Sequence, residues 1–194
     1  MSDVTVVKGL FSDEVFSSLQ SFVLDSLRHC GEYDSQFNRS SVHECPSLFG
    51  MHKELAPFAS ELFGMPLKPS YNYVSSYFDG GRCPLHFDRK QCFRTIDLLV
   101  YQEDSDPWSL MVSDVWTSED WDNFRANINI DEVDNRLLDL SDVEANWNEV
   151  LLEPNDAACY SGTDSWHYRP FPSKGRADLI FFHFVEEEFD GPLS

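Results

Sequence analysis

The 194-residue chain has few basic residues, since 14 lysines and arginines stand against 34 aspartates and glutamates, for a formal net charge of −20. A surface of that sign repels phosphate backbones, so we expect no nucleic-acid substrate unless a local basic patch holds one. The chain also lacks an apolar run that could span a bilayer, and its beginning is too acidic and too short in apolar residues for a secretory signal. We therefore expect a soluble, cytoplasmic protein with no membrane partner.

Cysteines are few, odd in number and never spaced as Cys-x-x-Cys. They are Cys30, Cys45, Cys83, Cys92 and Cys159. This pattern argues against a disulfide framework or a structural zinc site and favours a reducing compartment. We interpret Cys83 and Cys92 as small buried apolar residues.

The chain also lacks internal repeats and low-complexity linkers. With 42% hydrophobic residues it is long enough for a real core, so we expect a single domain over 1–194. Within it, we assign residues 1–68 to an N-terminal strand and supporting helices, and residues 69–187 to a core with an acidic insert at about 103–150. Residues 103–149 carry fourteen acidic side chains against two arginines.

The stretch from Tyr77 to Asp88 is the most informative, because His86 and Asp88 are two residues apart. On an extended strand, such residues point to the same face. One more imidazole would complete two histidines and a carboxylate, the facial triad that leaves positions open on an iron ion. His167 is the candidate third ligand, so we predict a catalytic metal site of His86, Asp88 and His167. The alternative is a solvated strand histidine at 86 and a polar turn residue at 167.

Arg176 lies nine residues after His167 and opens an apolar run, 177–185, that we predict to be a buried strand. A guanidinium group presents a planar fork of donors that matches a carboxylate. We therefore predict that an anionic co-substrate binds at Arg176.

This order of residues resembles the Fe(II)/2-oxoglutarate-dependent oxygenases, and among them the small, single-domain, prolyl-hydroxylase-like group. The resemblance covers roughly residues 69–185 and rests on His-x-Asp, a distal histidine after a Pro-Asn-Asp turn, then Gly-Arg and a final strand. It implies a mainly β fold with flanking helices, whose core is a double-stranded β-helix, or jelly roll. It also implies Fe(II), 2-oxoglutarate and O2, with ascorbate as a candidate reductant. The chain departs from many relatives in lacking a Gly-Gly-x-Leu turn in its middle.

The resemblance also implies roles for further residues. Arg176 would bind the far carboxylate of 2-oxoglutarate, and a tyrosine before the metal strand would hydrogen-bond to the co-substrate. Tyr77 matches that tyrosine best, with Tyr71 and Tyr73 behind it, and aromatic packing in the barrel is the alternative for each. The presence of Asp88 favours hydroxylation, desaturation or ring closure over halogenation.

Three residues, Arg94, Trp166 and Arg169, are predicted to face the mouth of the barrel, where two arginines would bind the carboxylate of a small acid. A salt bridge from Arg169 to an acid such as Asp164 is the alternative. We expect hydroxylation of an unactivated C–H bond in a small metabolite such as an amino acid, with release of succinate and CO2. A protein (prolyl-type) hydroxylase and a non-oxidative, cupin-like metal- or partner-binding module are the alternatives.

Periodicity and turn residues predict the remaining elements. Strands are expected at 4–7, 69–78, 96–101, 149–152 and 157–160, and helices from a Ser12 cap to about Arg28 and over 53–63. In the insert we expect strands near 110–115 and within 125–130, with a helix capped at Thr117 or Ser118 between them. We interpret 29–50 as a polar loop, and a protein substrate would bind in a groove between this loop and 103–125. His29, His43 and His52 are candidates to line a substrate entrance.

Overall fold

The computed structural model describes residues 4–103, 107–127 and 143–194. Within these ranges there are three α-helices: α1 (Asp13–Cys30), α2 (Phe49–Phe63) and α3 (Ser118–Asn127). The strands there are β1 (Val4–Val7), β2 (Glu32–Asp34), β3 (Arg39–His43), β4 (Leu67–Tyr77), β5 (Arg94–Gln102), β6 (Leu110–Ser113), β7 (Trp147–Val150), β8 (Ala157–Tyr160), β9 (His167–Tyr168) and β10 (Ala177–Glu186). None of these helices has the length and apolar character needed to cross a membrane.

Two antiparallel sheets form the core. The large sheet has the strand order β1-β8-β5-β10-β4-β3-β2, and the small sheet has the order β7-β6-β9. One face of the large sheet packs on the small sheet through residues such as Leu99, Leu179, Leu110 and Val112. The fold is therefore mainly β with a jelly-roll core, as the sequence predicted.

The first two helices cover the other face of the large sheet. Leu19 and Val23 of α1 and Ala59 of α2 are buried in one cluster with strand residues such as Val74 and Ile180. Ser12 caps α1, because its hydroxyl accepts a hydrogen bond from the Val15 amide at 3.4 Å. A site can therefore form on the opposite face of the large sheet, which points toward the small sheet.

The structure differs from the sequence predictions in several places. His86 lies in an isolated bridge, and Asp88 lies outside any strand, where an extended strand was expected. Residues 29–50 contribute strands β2 and β3 to the edge of the large sheet, where a polar loop was expected. These strands are short and mostly polar, so they carry little of the alternation that marks a strand. The expected strand within 125–130 is also wrong in part, since 125–127 end helix α3; residues 128–130 lie outside the described ranges. Strand β7 begins two residues before the expected strand at 149–152.

Candidate active site

His86, Asp88 and His167 converge beside the small sheet. The amide of His86 donates to the carbonyl oxygen of His167 at 3.1 Å, and the amide of His167 donates back at 2.8 Å. The Asp88 amide is held by the carbonyl oxygen of Gly162 at 2.8 Å. One oxygen of Asp88 lies 3.8 Å from Nε2 of His86 and 3.7 Å from Nε2 of His167. The three potential ligand atoms lie within 4.8 Å of one another, which suits a single metal ion.

The main chain orients both imidazoles toward the shared position. Nδ1 of His86 lies 2.7 Å from the carbonyl oxygen of Pro84, and Nδ1 of His167 lies 3.0 Å from that of Ser165. A carbonyl oxygen only accepts, so each Nδ1 donates and each Nε2 keeps its lone pair for a metal. This arrangement is typical of metal-binding histidines.

The charges of Asp88 and His86 also suit a metal. Burial works against ionisation of Asp88, but His167 and His86 outweigh it and lower its pKa to about 2. Burial and the neighbouring His167 lower the pKa of His86 to about 4. At neutral pH the aspartate is therefore ionised and His86 is neutral, which are the states that bind metal. The donor set of two imidazoles and one carboxylate fits Fe(II).

A second group of potential ligands shares Asp88 and adds Cys92 and His183. Its geometry suits a metal less well, because the Cys92 Sγ lies 2.9 Å from the hydroxyl of Tyr71 and Nδ1 of His183 lies 3.0 Å from the hydroxyl of Thr95. Burial also raises the pKa of Cys92 to about 12, and the thiol has to lose its proton to bind a metal. Burial of Cys92 agrees with its interpretation as a small core residue.

A cavity of about 970 Å³ opens over the three residues and extends along the inner face of the large sheet. Five further residues expected at the site line it. They are Tyr71, Tyr73, Tyr77, Trp166 and Arg169. The structure thus brings most of the expected residues to one space.

The alternative for Arg169 was a pair with Asp164, but in the structure Arg94 pairs with Asp164 and Arg169 pairs with Asp97. The side chain of Arg169 is buried, and Nη2 lies 3.4 Å from Asp97 Oδ2 while the guanidinium stacks on the ring of Trp108. Asp164 pairs instead with Arg94, at 3.5 Å. Arg94 does not line the cavity.

Trp166 is fully buried next to His167, a candidate metal ligand. Its ring packs against Phe87, Trp116, Trp121 and Phe124, with centroids 4.9 to 5.6 Å away. Phe87 lies between the two ligands of the His-x-Asp motif, so this aromatic cluster supports the metal-binding segment from behind.

Like Arg94, Arg176 is an expected site residue that the structure places away from the cavity. Its Nε lies 3.2 Å from Asp178 Oδ1, and its guanidinium stacks on Tyr101. Asp178 in turn accepts from the hydroxyl of Ser76 at 2.6 Å. These partners lie on the face of the large sheet that points away from the cavity, since Tyr77, next to Ser76, points into it. The spacing after His167 singled out Arg176 as a candidate but did not show which face of the sheet its side chain is on.

Several cavity residues were not predicted. They are Arg39, Arg82, Arg89, Asp97 and His183. Asp97 and His183 had a signal in the sequence, because each is a polar residue within a strongly apolar run. Of the three histidines proposed for the entrance, His43 lines the cavity, whereas His29 is exposed elsewhere and His52 is buried against the carbonyl oxygen of His183.

Comparisons with known proteins give a fold but no close relative. No protein-family model matches the chain, and no curated protein matches it significantly by sequence. HygX of Streptomyces hygroscopicus, crystallised with nickel, 2-oxoglutarate and hygromycin B, is 14% identical, with a TM-score of 0.67 over 97% of this chain and 84% of that one. A prolyl-4-hydroxylase of Pseudomonas putida is 8% identical, with a TM-score of 0.67 over 96% and 94%.

A third solved structure, the non-heme α-ketoglutarate-dependent carbocyclase SnoK from nogalamycin biosynthesis, is 11% identical, with a TM-score of 0.68 over 95% of this chain and 80% of that one. All three likenesses span nearly the whole chain. The chain therefore has the fold of the non-haem, 2-oxoglutarate-dependent proteins, the family that its motifs resemble.

Proposed function

We propose that the chain is an Fe(II)/2-oxoglutarate-dependent dioxygenase that hydroxylates a small anionic metabolite. The observation that carries this proposal is the convergence of two Nε2 lone pairs and one carboxylate oxygen within 4.8 Å. His86, Asp88 and His167 would hold the metal through one side, which leaves positions for other ligands on the cavity side. When bound, Fe(II), 2-oxoglutarate and O2 supply the oxidising power to hydroxylate a C–H bond, with release of succinate and CO2.

The charge of the cavity supports an anionic substrate. Four arginines, two of them exposed, line the cavity of a protein whose net charge is −20. They are Arg39, Arg82, Arg89 and Arg169. The carboxylates in the lining are Asp88, which would face the metal, and Asp97, which pairs with Arg169. The cavity is thus locally cationic, which concentrates small anions against the repulsion of the outer surface.

Arg89 is placed to bind the substrate anion near the metal. It follows Asp88 directly in the chain, and its guanidinium stacks on Tyr71 with the carbon 4.5 Å from the ring centroid. Nη2 donates to Nε2 of His43 at 2.9 Å, and Nε donates to the hydroxyl of Tyr71 at 3.3 Å. These contacts fix the plane of an exposed guanidinium whose remaining N–H groups can bind a carboxylate.

The structural neighbours support a small-molecule substrate. HygX was crystallised with the small molecule hygromycin B, and another neighbour is named a prolyl-4-hydroxylase. The cationic lining favours the small acid over an uncharged peptide segment.

Succinate formation tests the proposal. The purified protein with Fe(II), ascorbate, O2 and 2-oxoglutarate is supplied either with pools of amino acids and other small carboxylic acids or with peptide pools, beside a metal-free control. We expect metal-dependent succinate that rises with one of the small-acid pools. Stimulation by peptides alone would mean that the substrate is a protein and not a small metabolite. Absence of succinate, from a protein shown to bind iron, would contradict the proposed oxygenase activity.

A further inference from the structure

We propose that the far carboxylate of 2-oxoglutarate binds to Arg39 and Tyr77, on strands β3 and β4, and not to Arg176 at the start of β10. This inference rests on the proposed function, because it assumes that 2-oxoglutarate enters the cavity. Tyr77 was already expected to hydrogen-bond to the co-substrate, whereas Arg39, on a strand that the sequence did not predict, is new as the charged partner.

Strand pairing determines which side chains share the cavity face. Tyr77 pairs with Ala177 on β10 and with Arg39 on β3. Side chains of directly opposed residues in an antiparallel pair point to the same face. Tyr77 and Arg39 both line the cavity, so Ala177 takes the cavity-facing position at the start of β10 and Arg176 points the other way. Since alanine offers no polar group, the charge needed at this end of the sheet has to come from a neighbouring strand.

Arg39 has the donors for a carboxylate. Nη1 donates to the hydroxyl of Tyr77 at 3.0 Å, and the carboxylate of Asp34 is 3.9 Å from Nη2, too far for a good hydrogen bond. Its Nε is buried and has no hydrogen-bond acceptor among the described residues. A buried guanidinium N–H without an acceptor is costly, and an oxygen of a bound anion would satisfy it.

Tyr77 completes the pair. Its hydroxyl accepts from Arg39, which leaves its own hydrogen to donate. Burial raises the pKa of Tyr77 well above its ordinary value, so the hydroxyl keeps that hydrogen at neutral pH. Arg39 and Tyr77 line the same cavity as His86, Asp88 and His167.

Arg169, the buried arginine of the cavity, already has partners within the protein. Nη1 of Arg169 donates to the carbonyl oxygen of Trp108, and Nη2 pairs with Asp97. The charge of Arg169 is therefore balanced by Asp97 at 3.4 Å, whereas the carboxylate of Asp34 lies 3.9 Å from Arg39.

Comparing the affinities of two ligands, one with and one without the far carboxylate, measures how much that carboxylate contributes to binding. 2-Oxopentanoate has the same keto acid end as 2-oxoglutarate but a methyl group in place of the far carboxylate. Calorimetric titration of the Mn(II)-loaded protein with each ligand gives the contribution of that carboxylate without turnover. We expect Arg39→Gln to weaken 2-oxoglutarate roughly 10- to 100-fold, as the loss of charge-assisted hydrogen bonds predicts, and to leave 2-oxopentanoate unchanged.

Arg176→Gln is the matched control, because it removes the same charge from the residue that the motif pointed to. It is expected to bind both ligands as the unaltered protein does. Arg39→Lys, which keeps the charge without the planar fork, provides a second variant should Arg39→Gln not fold, and is expected to lose part of the 2-oxoglutarate affinity. Undiminished 2-oxoglutarate affinity in both Arg39 variants, or a loss in Arg176→Gln, would overturn the inference while leaving the oxygenase in place. Failure of the unaltered protein to bind 2-oxoglutarate would overturn both.

Discussion

The main chains of His86 and His167 exchange two hydrogen bonds, although the two residues come from distant parts of the chain. Because opposed residues in such a pair present their side chains on one face, the imidazole rings lie 4.2 Å apart between centroids. The backbone hydrogen bonds thus hold the two candidate ligands together. The candidate site is therefore preorganised, and substitutions that disturb its backbone are expected to affect metal binding as well as stability.

Gly162 is one such backbone position. A methyl group at this residue would lie 2.6 Å from Asp88 Oδ2 and would also overlap the carbonyl oxygen of Cys92. Gly162→Ala is therefore expected to cost roughly 1–3 kcal/mol of stability, as overpacking does, and to weaken metal binding by displacing the Asp88 carboxylate. Thermal unfolding and metal titration of the variant measure the two effects.

Gly50→Ala is the control for that substitution. Gly50 lies in helix α2, and a methyl group there would meet no heavy atom within 4 Å. Since alanine favours a helix over glycine by about 1 kcal/mol, this variant is expected to be as stable as the original or slightly more so. Equal effects of the two substitutions would show that the packing around Gly162 does not constrain Asp88.

The raised pKa of Asp97 is expected to make the stability of the protein depend on pH. Burial raises its pKa to about 6, and the ion pair with Arg169 only partly opposes this. The folded state therefore binds a proton more tightly than the unfolded state, whose carboxyl has a pKa of about 3.9. The contribution of Asp97 to stability is fully present below about pH 4 and is lost as pH rises to about 6, by roughly 2–3 kcal/mol.

Comparison with Asp97→Asn isolates this contribution from that of other groups that titrate between pH 4 and 6, such as His52 and His183. Denaturant unfolding at several pH values gives the difference in stability between the variant and the original protein. We expect this difference to shift in favour of Asp97→Asn as pH rises through that window. A difference that is constant with pH would mean that Asp97 titrates normally.

If Arg89 binds the substrate anion, its substitution should weaken binding of the small acid but not of 2-oxoglutarate. Arg89→Gln is expected to raise the concentration of small acid needed to stimulate succinate formation roughly tenfold, since a charge-assisted hydrogen bond is lost. The 2-oxoglutarate requirement is expected to stay the same. Lys90→Gln removes the same charge from the next residue, which does not line the cavity, and is expected to alter neither value. A larger effect at Lys90 than at Arg89 would contradict the assignment.

The alternation of side chains along a strand predicted that His86 and Asp88 share a face, and the structure brings the two side chains together, although His86 lies in an isolated bridge and not in the expected strand. The same rule made Arg176 hard to interpret, since a shift of one residue moves a side chain to the other face of the sheet. Its face depends on the pairing of Ala177 with Tyr77, which the chain order does not reveal. Arg39 was missed for a related reason: it lies on a short polar strand that is recognisable only once it pairs with β4.

The most direct test of the central claim is a metal titration of four variants beside the unaltered protein. His167→Ala and Asp88→Asn each remove one proposed ligand, Cys92→Ala removes the thiol of the competing group, and His29→Ala removes an exposed histidine outside the cavity. The account predicts one Fe(II) or Mn(II) ion per chain in the unaltered protein, retained binding in Cys92→Ala and His29→Ala, and loss of binding in the other two. Undiminished affinity in His167→Ala, or loss of binding in Cys92→Ala, would contradict it.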